Sequence, residues 1–240
     1  MCGRFTLTSD PASLHAQFGI RGVPFDYSAR YNIAPTQPVL GLVSDPDGSW
    51  APATFFWGAA PAARGGGRHI NARAETVATL PAFRSAFRSR RCLVLADGFY
   101  EWRRDGDRKT PMYIRRIDAR PFAFAGLWNE VREKDGTSHF TCTILTTRPN
   151  ELMRPIHDRM PVILPPREYE TWLAPDSRAD VLLPLLGPAD ASLFEAYAVS
   201  SLVNSPQNDV PECIAPAEPA PLLRHDSPSG HSSPGNKKGR

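Results

Sequence analysis

Residues 91–102 read RCLVLADGFYEW, and this stretch indicates how the chain folds. The apolar run 92–96 (CLVLA) predicts a buried strand, and Asp97-Gly98 is a turn signal. After the turn, Phe99 and Glu101 alternate with aromatic neighbours, which is typical of an extended segment. Short strands separated by turns are therefore expected in this region.

The same pattern of short apolar runs bounded by turn residues recurs along the chain. Further strands are predicted at 38–43, 54–58, 112–117, 122–128, 140–146 and 160–164. Helices are fewer: Asp10-Pro11 begins one that ends near Phe18, and Leu80-Pro81 and Pro165-Pro166 begin two more. The tally predicts an α+β fold around a mainly antiparallel sheet with a few flanking helices.

The composition predicts one folded domain followed by a basic tail. Apolar residues at 41% and charged residues at 22% are ordinary for a soluble globular protein of 240 residues. Residues 1–222 are expected to form one domain, and residues 223–240, rich in Ser, Gly and Pro, a disordered tail. With neither a long apolar run nor a secretory signal, we expect a cytoplasmic protein without membrane contact.

The charges are unevenly distributed. Residues 1–100 contain ten Arg, no Lys and six acidic residues, whereas residues 101–223 contain 14 basic and 18 acidic residues. A basic half made of Arg alone suits forked contacts with phosphate oxygens. GC-rich coding, which favours Arg over Lys, explains the bias equally well.

The four cysteines are Cys2, Cys92, Cys142 and Cys213, and none forms a CxxC pair. A zinc site or redox motif is therefore not expected, nor is any metal or cofactor. Cys92 and Cys142 lie in apolar runs and are predicted to be buried strand residues.

Cys2, in the opening MCGRFT, has little chain before it to bury it. Aminopeptidases remove Met1 when the next residue is small, which would leave a free α-amine beside the thiol. The amine has a pKa near 8, and Arg4 is expected to lower that of the thiol. Such an aminothiol condenses with an aldehyde to a thiazolidine, or attacks a carbonyl as an N-terminal nucleophile. The alternative is a frayed, chemically inert cysteine.

Two further segments contain groups suited to such chemistry. In HINARAET (69–76), Asn71, Arg73 and Glu75 alternate, so they face one way if the segment is extended. The amide would orient an oxygen and the guanidinium hold a phosphate; a polar strand face with an Arg–Glu pair is the alternative. Glu101 has aromatic neighbours, and burial there would raise its pKa and suit proton transfer. The alternative for Glu101 is a surface position on an edge strand.

His157 is the fourth candidate. It precedes the apolar run MPVIL (160–164) and is flanked by Asp158 and Arg159. Histidine transfers protons readily near neutral pH, although a lone histidine is often structural.

These strings occur in an order that resembles one family. The matching segments, from residue 2 to about 214, are MCGRFT, RYNIAP (30–35), FFWG, INARAET, RCLVLADGFYEW, ILTTRPN, IHDRMPVIL and VSSLVN. They resemble the SRAP family, the SOS-response-associated peptidases or abasic-site-processing proteins.

The resemblance implies a fold and an activity. The fold would be α+β with a curved, largely antiparallel sheet and a basic groove. Cys2, exposed by loss of Met1, would capture the aldehyde of an abasic site in single-stranded DNA as a thiazolidine, shielding the site from strand breakage. Asn71, Glu101 and His157 match the family's active-site positions. A monomer, associated with the nucleoid when bound to DNA, is expected.

The resemblance also implies a DNA-binding set. Arg4, Arg73 and Arg159 match basic positions near the DNA phosphates, and Asn32 and Pro35 of the RYNIAP segment are expected on the same surface. Relatives often carry a bulky residue after the segment WGAAP (57–61), where this chain has AARGGGR. We therefore expect weaker base stacking there, with Arg64 and Arg68 supplying phosphate contacts instead.

Three other functions fit parts of the pattern. A thiol peptidase would use Cys2 with Asn71 and His157 in a papain-like arrangement. An N-terminal-nucleophile glutamine amidotransferase also begins Met-Cys-Gly, but continues with an apolar residue where this chain has Arg4. A non-catalytic single-stranded DNA-binding module would leave Cys2 without a role.

Overall fold

A computed structural model describes residues 2–20, 27–45, 48–58, 69–132 and 136–217, and the backbone of 223–224. Within these ranges the chain is mostly strand with four short α-helices, so the α+β expectation is confirmed. The strands are β1 (Arg4–Leu7), β2 (Arg30–Ile33), β3 (Pro38–Ser44), β4 (Trp50–Trp57), β5 (Asn71–Arg73), β6 (Arg91–Ala96), β7 (Gly98–Asp105), β8 (Arg108–Arg116), β9 (Phe122–Arg132), β10 (Ser138–Thr147), β11 (Met160–Pro161), β12 (Ile163–Leu164), β13 (Phe194–Ala198) and β14 (Leu223–Arg224). The helices are α1 (Pro11–Phe18), α2 (Arg84–Ser89), α3 (Tyr169–Leu173) and α4 (Ala179–Leu182).

Helix α1 follows the local signals in the sequence. The Asp10 side chain caps it by accepting a hydrogen bond from the Ser13 N–H at 2.9 Å, and Gly19 ends it in the left-handed conformation with φ 66°. Helix α2 begins at Arg84, after Leu80-Pro81, because the intervening residues form turns. A single 3₁₀ turn at Pro166–Glu168 precedes α3.

The larger sheet closes on itself. Its strands pair in the order β10, β4, β3, β6 and β9, and β9 pairs back with β10, which gives a five-stranded barrel. Most pairs are antiparallel, but β4 and β5 both run parallel to β10. Since β4 and β5 lie one after the other along the same edge of β10, β5 continues the barrel wall and holds Asn71 there.

The run MPVIL was expected to form one strand over 160–164 but forms two. β11 pairs with β10 and β12 pairs with β9, and Val162 lies between them. The Val162 N–H donates to the Leu145 carbonyl at 2.8 Å, and its own carbonyl accepts from the Ala125 N–H at 2.9 Å. The segment divides because it fills the gap where β9 and β10 separate.

The smaller sheet is antiparallel, with the order β14, β13, β8, β7, β1 and β2. Strand β7 lies between β8 and β1, so Glu101 does not occupy an edge strand. The backbone of Leu223–Arg224 pairs with β13, so the predicted start of the tail at residue 223 lies inside this pairing. Residues 225–240 lie outside the described residues.

Aromatic contacts join the two sheets. The Phe5 ring of β1 packs edge-on against Trp57 and Phe124 of the barrel, at centroid distances of 5.1 and 5.6 Å. Cys92 and Cys142 are buried in barrel strands, as predicted. Because Phe5 packs at this junction, the start of β1 lies inside the protein, and Cys2 just before it is buried as well. No helix in the described ranges is long and apolar enough to cross a membrane.

Candidate active site

Cys2 is fully buried, contrary to the expectation of an exposed chain end. It precedes β1, which pairs with β2 on one side and β7 on the other, and its Sγ lies 3.9 Å from the Arg4 carbonyl oxygen. Burial raises the pKa of the Cys2 thiol well above its usual range, and the nearby Glu101 carboxylate raises it further. The expectation that Arg4 favours the thiolate is therefore wrong.

Asn71 holds the backbone of Cys2. Its Nδ2 donates to the Cys2 carbonyl at 2.8 Å, a contact between residues 69 positions apart. Its Oδ1 is buried and makes no hydrogen bond within the described part of the chain. The amide thus presents a free acceptor beside the residue whose amine and thiol are the expected reagents.

Glu101 is 3% exposed, as the aromatic neighbours of its sequence position indicated. Burial raises its pKa from 4.5 to about 7. The carboxyl group therefore exchanges its proton near neutral pH, which is the property that acid–base catalysis requires.

His157 lies beside Glu101, with its Nε2 3.9 Å from the carboxylate Oε2. Its Nδ1 lies 3.0 Å from the Arg159 backbone N–H and 2.9 Å from Asp158 Oδ1. A neutral ring with its proton on Nε2 accepts from Arg159, and a doubly protonated ring donates to Asp158, so both states have a partner. Burial lowers the pKa of His157 below 6.5, so the ring is neutral at pH 7.

The four predicted catalytic residues thus meet in one place. Asn71 contacts Cys2, His157 lies beside Glu101, and the charge of Glu101 acts on the Cys2 thiol. They come from β5, β7 and the segments before β1 and β11, so long-range strand pairing assembles the set. Within the described ranges, no group of three His, Cys, Asp or Glu side chains is arranged to hold a metal ion.

Arg159 forms an ion pair that the sequence did not indicate. Its Nη1 and Nη2 donate to the two carboxylate oxygens of Glu75 at 2.6 and 2.8 Å, and Nη2 also donates to the Thr146 carbonyl at 2.6 Å. Glu75 lies past the end of β5, in a turn, so it does not continue the strand face of Asn71 and Arg73. Arg73 is exposed at the end of β5.

Arg4 and Asn32 fasten a distant segment to the site. The Arg4 Nη1 donates to Asn32 Oδ1 at 2.8 Å and to the Val203 carbonyl at 2.6 Å, while Nη2 donates to the Asn204 carbonyl at 3.2 Å. Asn32 is fully buried, and its Nδ2 donates to the carbonyls of Val203, Ser205 and Asn208. These contacts give both residues a structural role, and their contact with DNA stays a prediction.

Pro35 is half-buried in the turn between β2 and β3. Its contact with DNA stays a prediction. Arg64, Arg68 and the glycines at 65–67 lie outside the described residues.

Of the charged neighbours of His157, the sequence interpretation named Asp158 as a flanking residue but missed Arg104. Asp158 contacts His157 directly, and the charge of Arg104 contributes to the lowered pKa of His157. The signal for Arg104 was present as the charge-dense turn RRDGDRK at 103–109, which follows Glu101 directly, but nothing in the sequence places that turn near His157.

Comparison with known proteins gives consistent relatives. The family described as SOS response associated peptidase (SRAP) matches residues 1–206. The abasic site processing protein YoqW of Bacillus subtilis is 46% identical over 89% of this chain and 99% of its own length. The abasic site processing protein YedK of Escherichia coli is 32% identical, over 90% of this chain and 100% of its own.

A solved structure agrees with the fold. The crystal structure of a Bacteroides thetaiotaomicron protein is 28% identical, with a TM-score of 0.79, and the match covers 90% of this chain and 100% of that one. Since the family match spans most of the chain and the relatives align over nearly their whole length, this chain belongs to the SRAP family.

Proposed function

We propose that this protein, after removal of Met1, captures the aldehyde of abasic sites in single-stranded DNA as a thiazolidine on Cys2. The observation that supports this most is the convergence of Asn71, Glu101 and His157 on Cys2 from distant parts of the chain. The relatives at 46% and 32% identity are both named abasic site processing proteins, which supports the same class of substrate.

The proposed reaction forms two bonds and releases one water. The Cys2 α-amine attacks C1′ of the ring-opened deoxyribose, and loss of the carbonyl oxygen as water gives an imine. The thiol sulfur then adds to the imine carbon while the thiol proton passes to the nitrogen, which closes the five-membered ring. No oxidant or reductant is needed, and the DNA backbone stays intact.

The neighbouring groups suit these proton transfers. Glu101, with a pKa of about 7, would protonate the departing oxygen and later relay the thiol proton to the imine nitrogen. The free Oδ1 of Asn71 would accept a hydrogen bond from the amine and aim it at the carbonyl. His157, neutral and beside Glu101, would exchange protons with that carboxyl group or with a sugar hydroxyl.

The surroundings of Cys2 suit aldehyde capture better than peptide hydrolysis. A Cys–His peptidase stores its nucleophile as a thiolate beside an imidazolium. Here burial and the Glu101 carboxylate both raise the pKa of the thiol, which favours the neutral form. A ring closure that consumes a neutral S–H is compatible with that environment.

The test is a denaturing gel of protein mixed with a single-stranded oligonucleotide that contains one abasic site. We expect a heat-stable shifted band for the chain that begins at Cys2. No band is expected for Cys2→Ala, for an intact oligonucleotide, or for an abasic site blocked beforehand with methoxyamine. Mass spectrometry verifies that the protein lacks Met1. If such protein forms no band, the proposal is overturned.

An N-terminally extended chain separates the two chemistries. It keeps the Cys2 thiol but has no free α-amine on that residue. Crosslinking should be abolished, whereas a peptidase that needs only the thiol would retain its activity. A full yield of crosslink from the extended chain would contradict the thiazolidine mechanism.

A further inference from the structure

The turn between β7 and β8 concentrates positive charge. Residues 103–110, RRDGDRKT, which we call the basic hairpin, contain four basic and two acidic side chains. The two strands pair directly across the hairpin, with Arg104 opposite Lys109 and Asp105 opposite Arg108. Gly106, with φ 56°, forms the tight turn at its tip.

The fold leaves much of this charge uncompensated. Arg104 and Lys109 are directly opposed like charges, an arrangement that destabilises a pair of strands. Both side chains are exposed, and neither takes part in an ion pair with any residue that the structure describes. Arg159, by contrast, is paired with both oxygens of Glu75. An anion from outside the chain would offset the repulsion in the hairpin.

The basic hairpin continues the strand that holds Glu101. At about 3.4 Å per residue, the Cα atoms of Glu101 and Arg104 are roughly 10 Å apart along β7. The charge of Arg104 also reaches His157, whose pKa it helps to lower. The hairpin therefore begins at the edge of the candidate active site.

Two of the basic residues expected to meet DNA are already engaged within the protein. The guanidinium of Arg4 donates to Asn32 and to two carbonyls, and that of Arg159 pairs with Glu75. Capture of a sugar within a DNA strand needs cations for the flanking phosphates, since the phosphate backbone supplies most of the affinity. Exposed arginine and lysine side chains without partners are suited to that task.

We propose that the basic hairpin binds the phosphates of single-stranded DNA next to the captured sugar, with Arg104 and Lys109 as the principal contacts. This inference rests on the proposed function, because it assigns a path across the protein surface to the DNA strand that carries the captured sugar. It adds a binding surface to a family whose matched motifs end at Trp102 in this region of the chain.

The test measures non-covalent binding of an undamaged single-stranded oligonucleotide over a series of salt concentrations. The variant is R104Q/K109Q, and the matched control is R167Q/R178Q, which removes the same charge from side chains that are 80% and 81% exposed on other elements. All proteins also carry Cys2→Ala, so that no covalent step contributes. Thermal unfolding checks that the variant is folded, and removal of the Arg104–Lys109 repulsion should leave its melting temperature unchanged or higher.

The hairpin variant should bind more weakly and with a smaller salt dependence. Each lost phosphate contact reduces the slope of log K against log salt by about 0.7 for a single strand, so a reduction of about 1.4 is expected. The control should keep the slope of the parent protein. An unchanged slope in R104Q/K109Q, an equal loss in both variants, or no measurable binding by the parent at low salt would overturn the inference.

These outcomes are separate from those of the crosslinking gel. A parent protein that forms no crosslink while R104Q/K109Q still weakens strand binding would refute the proposed function and leave the hairpin as a DNA-binding surface. A parent that crosslinks normally while the hairpin variant binds with the parent's slope would support the proposed function and refute the role of the hairpin.

Discussion

Glu101 is an acidic side chain held where its ionised form is disfavoured. It lies on a strand between two others, 3% exposed, and the burial raises its pKa to about 7. A carboxyl group on the surface would keep a pKa near 4.5 and be ionised throughout the neutral range. Burial therefore turns an ordinary glutamate into a group that holds and releases a proton at physiological pH, at a cost in stability.

That cost gives a prediction for Glu101→Gln. Since the folded-state pKa of Glu101 is raised, the folded protein binds its proton more tightly than the unfolded chain between about pH 4.5 and 7. The stability of the wild type relative to the variant should therefore be greatest below pH 4.5 and be lost as the pH rises through 7. The expected change is at most on the order of 3 kcal/mol. Urea unfolding of both proteins at pH 4.5 and 8 measures it.

Glu195→Gln provides the control, because Glu195 is equally buried, at 3% exposure, but is paired with Arg115. This variant measures what the loss of a buried, ion-paired carboxylate costs, for comparison with Glu101→Gln. A free-energy difference between Glu101→Gln and wild type that is the same at both pH values would contradict the raised pKa.

At the scale of elements, the segment 201–209 is held to β1 and β2 by polar side chains. Asn32 donates to three carbonyls of this segment, and the Asp209 carboxylate accepts from the backbone N–H groups of Tyr31 and Asn32 and from Arg30. The Trp102 Nε1 donates to Asn204 Oδ1 at 2.8 Å. Because the segment contacts β1 near Cys2 and β7 near Glu101, it helps to fix the two strands that hold the site.

Asn32→Ala should loosen this segment. The substitution removes the hydrogen bonds that Asn32 Nδ2 donates to the segment and the one that its Oδ1 accepts from Arg4, which should cost about 2–3 kcal/mol. Hydrogen exchange of the amides of 201–209 should be faster in the variant than in the wild type, while exchange in the barrel strands should change less. Asn129→Ala, which removes a contact with Arg90 on the barrel, is the control. Unchanged protection of 201–209 in Asn32→Ala would contradict the structural role.

The limits of sequence-based prediction also differ between elements. Helix α1 was predictable because its cap, Asp10, and its terminator, Gly19, act within a few residues. The division of 160–164 into β11 and β12 was not, because it depends on where β9 and β10 separate. Strand β5 was only partly indicated, since Asn71–Arg73 is three residues long and owes its conformation to pairing with β10.

At the scale of the whole molecule, closure of the barrel needs close approach between strands. Gly41 of β3 lies between β4 and β6, and a Cβ added there would be 2.4 Å from the Leu93 carbonyl oxygen and 2.8 Å from the Phe55 ring. The carbonyl belongs to the backbone of the neighbouring strand, so it cannot move away without separating β3 from β6.

Gly41→Ala should therefore weaken the entire fold. Overpacking of this kind typically costs about 1–3 kcal/mol, and the cost should appear as a lower melting temperature with a single cooperative transition. Gly187→Ala is the matched control, because a Cβ at Gly187 meets no atom within 4 Å, and its stability should stay within about 0.5 kcal/mol of wild type. Equal melting temperatures for the two variants would contradict this, because they would show that β3 and β6 accommodate a Cβ at position 41.

The sequence by itself determined the features that depend on neighbours along the chain. The apolar runs placed the barrel strands, the aromatic neighbours of Glu101 indicated its burial, and ordered motifs indicated the family and the residues Asn71, Glu101 and His157. Each of these signals is local, or is a pattern repeated among relatives.

Only the tertiary structure decided how those residues are partnered. It buried Cys2 and raised the pKa of its thiol, directed Arg4 to Val203 and Asn204, and paired Arg159 with Glu75. It also brought Arg104 close enough for its charge to contribute to the lowered pKa of His157. These outcomes depend on contacts between residues as far apart as 200 positions. Pairing and packing of strands set such contacts, and the charge pattern of a single segment does not contain them.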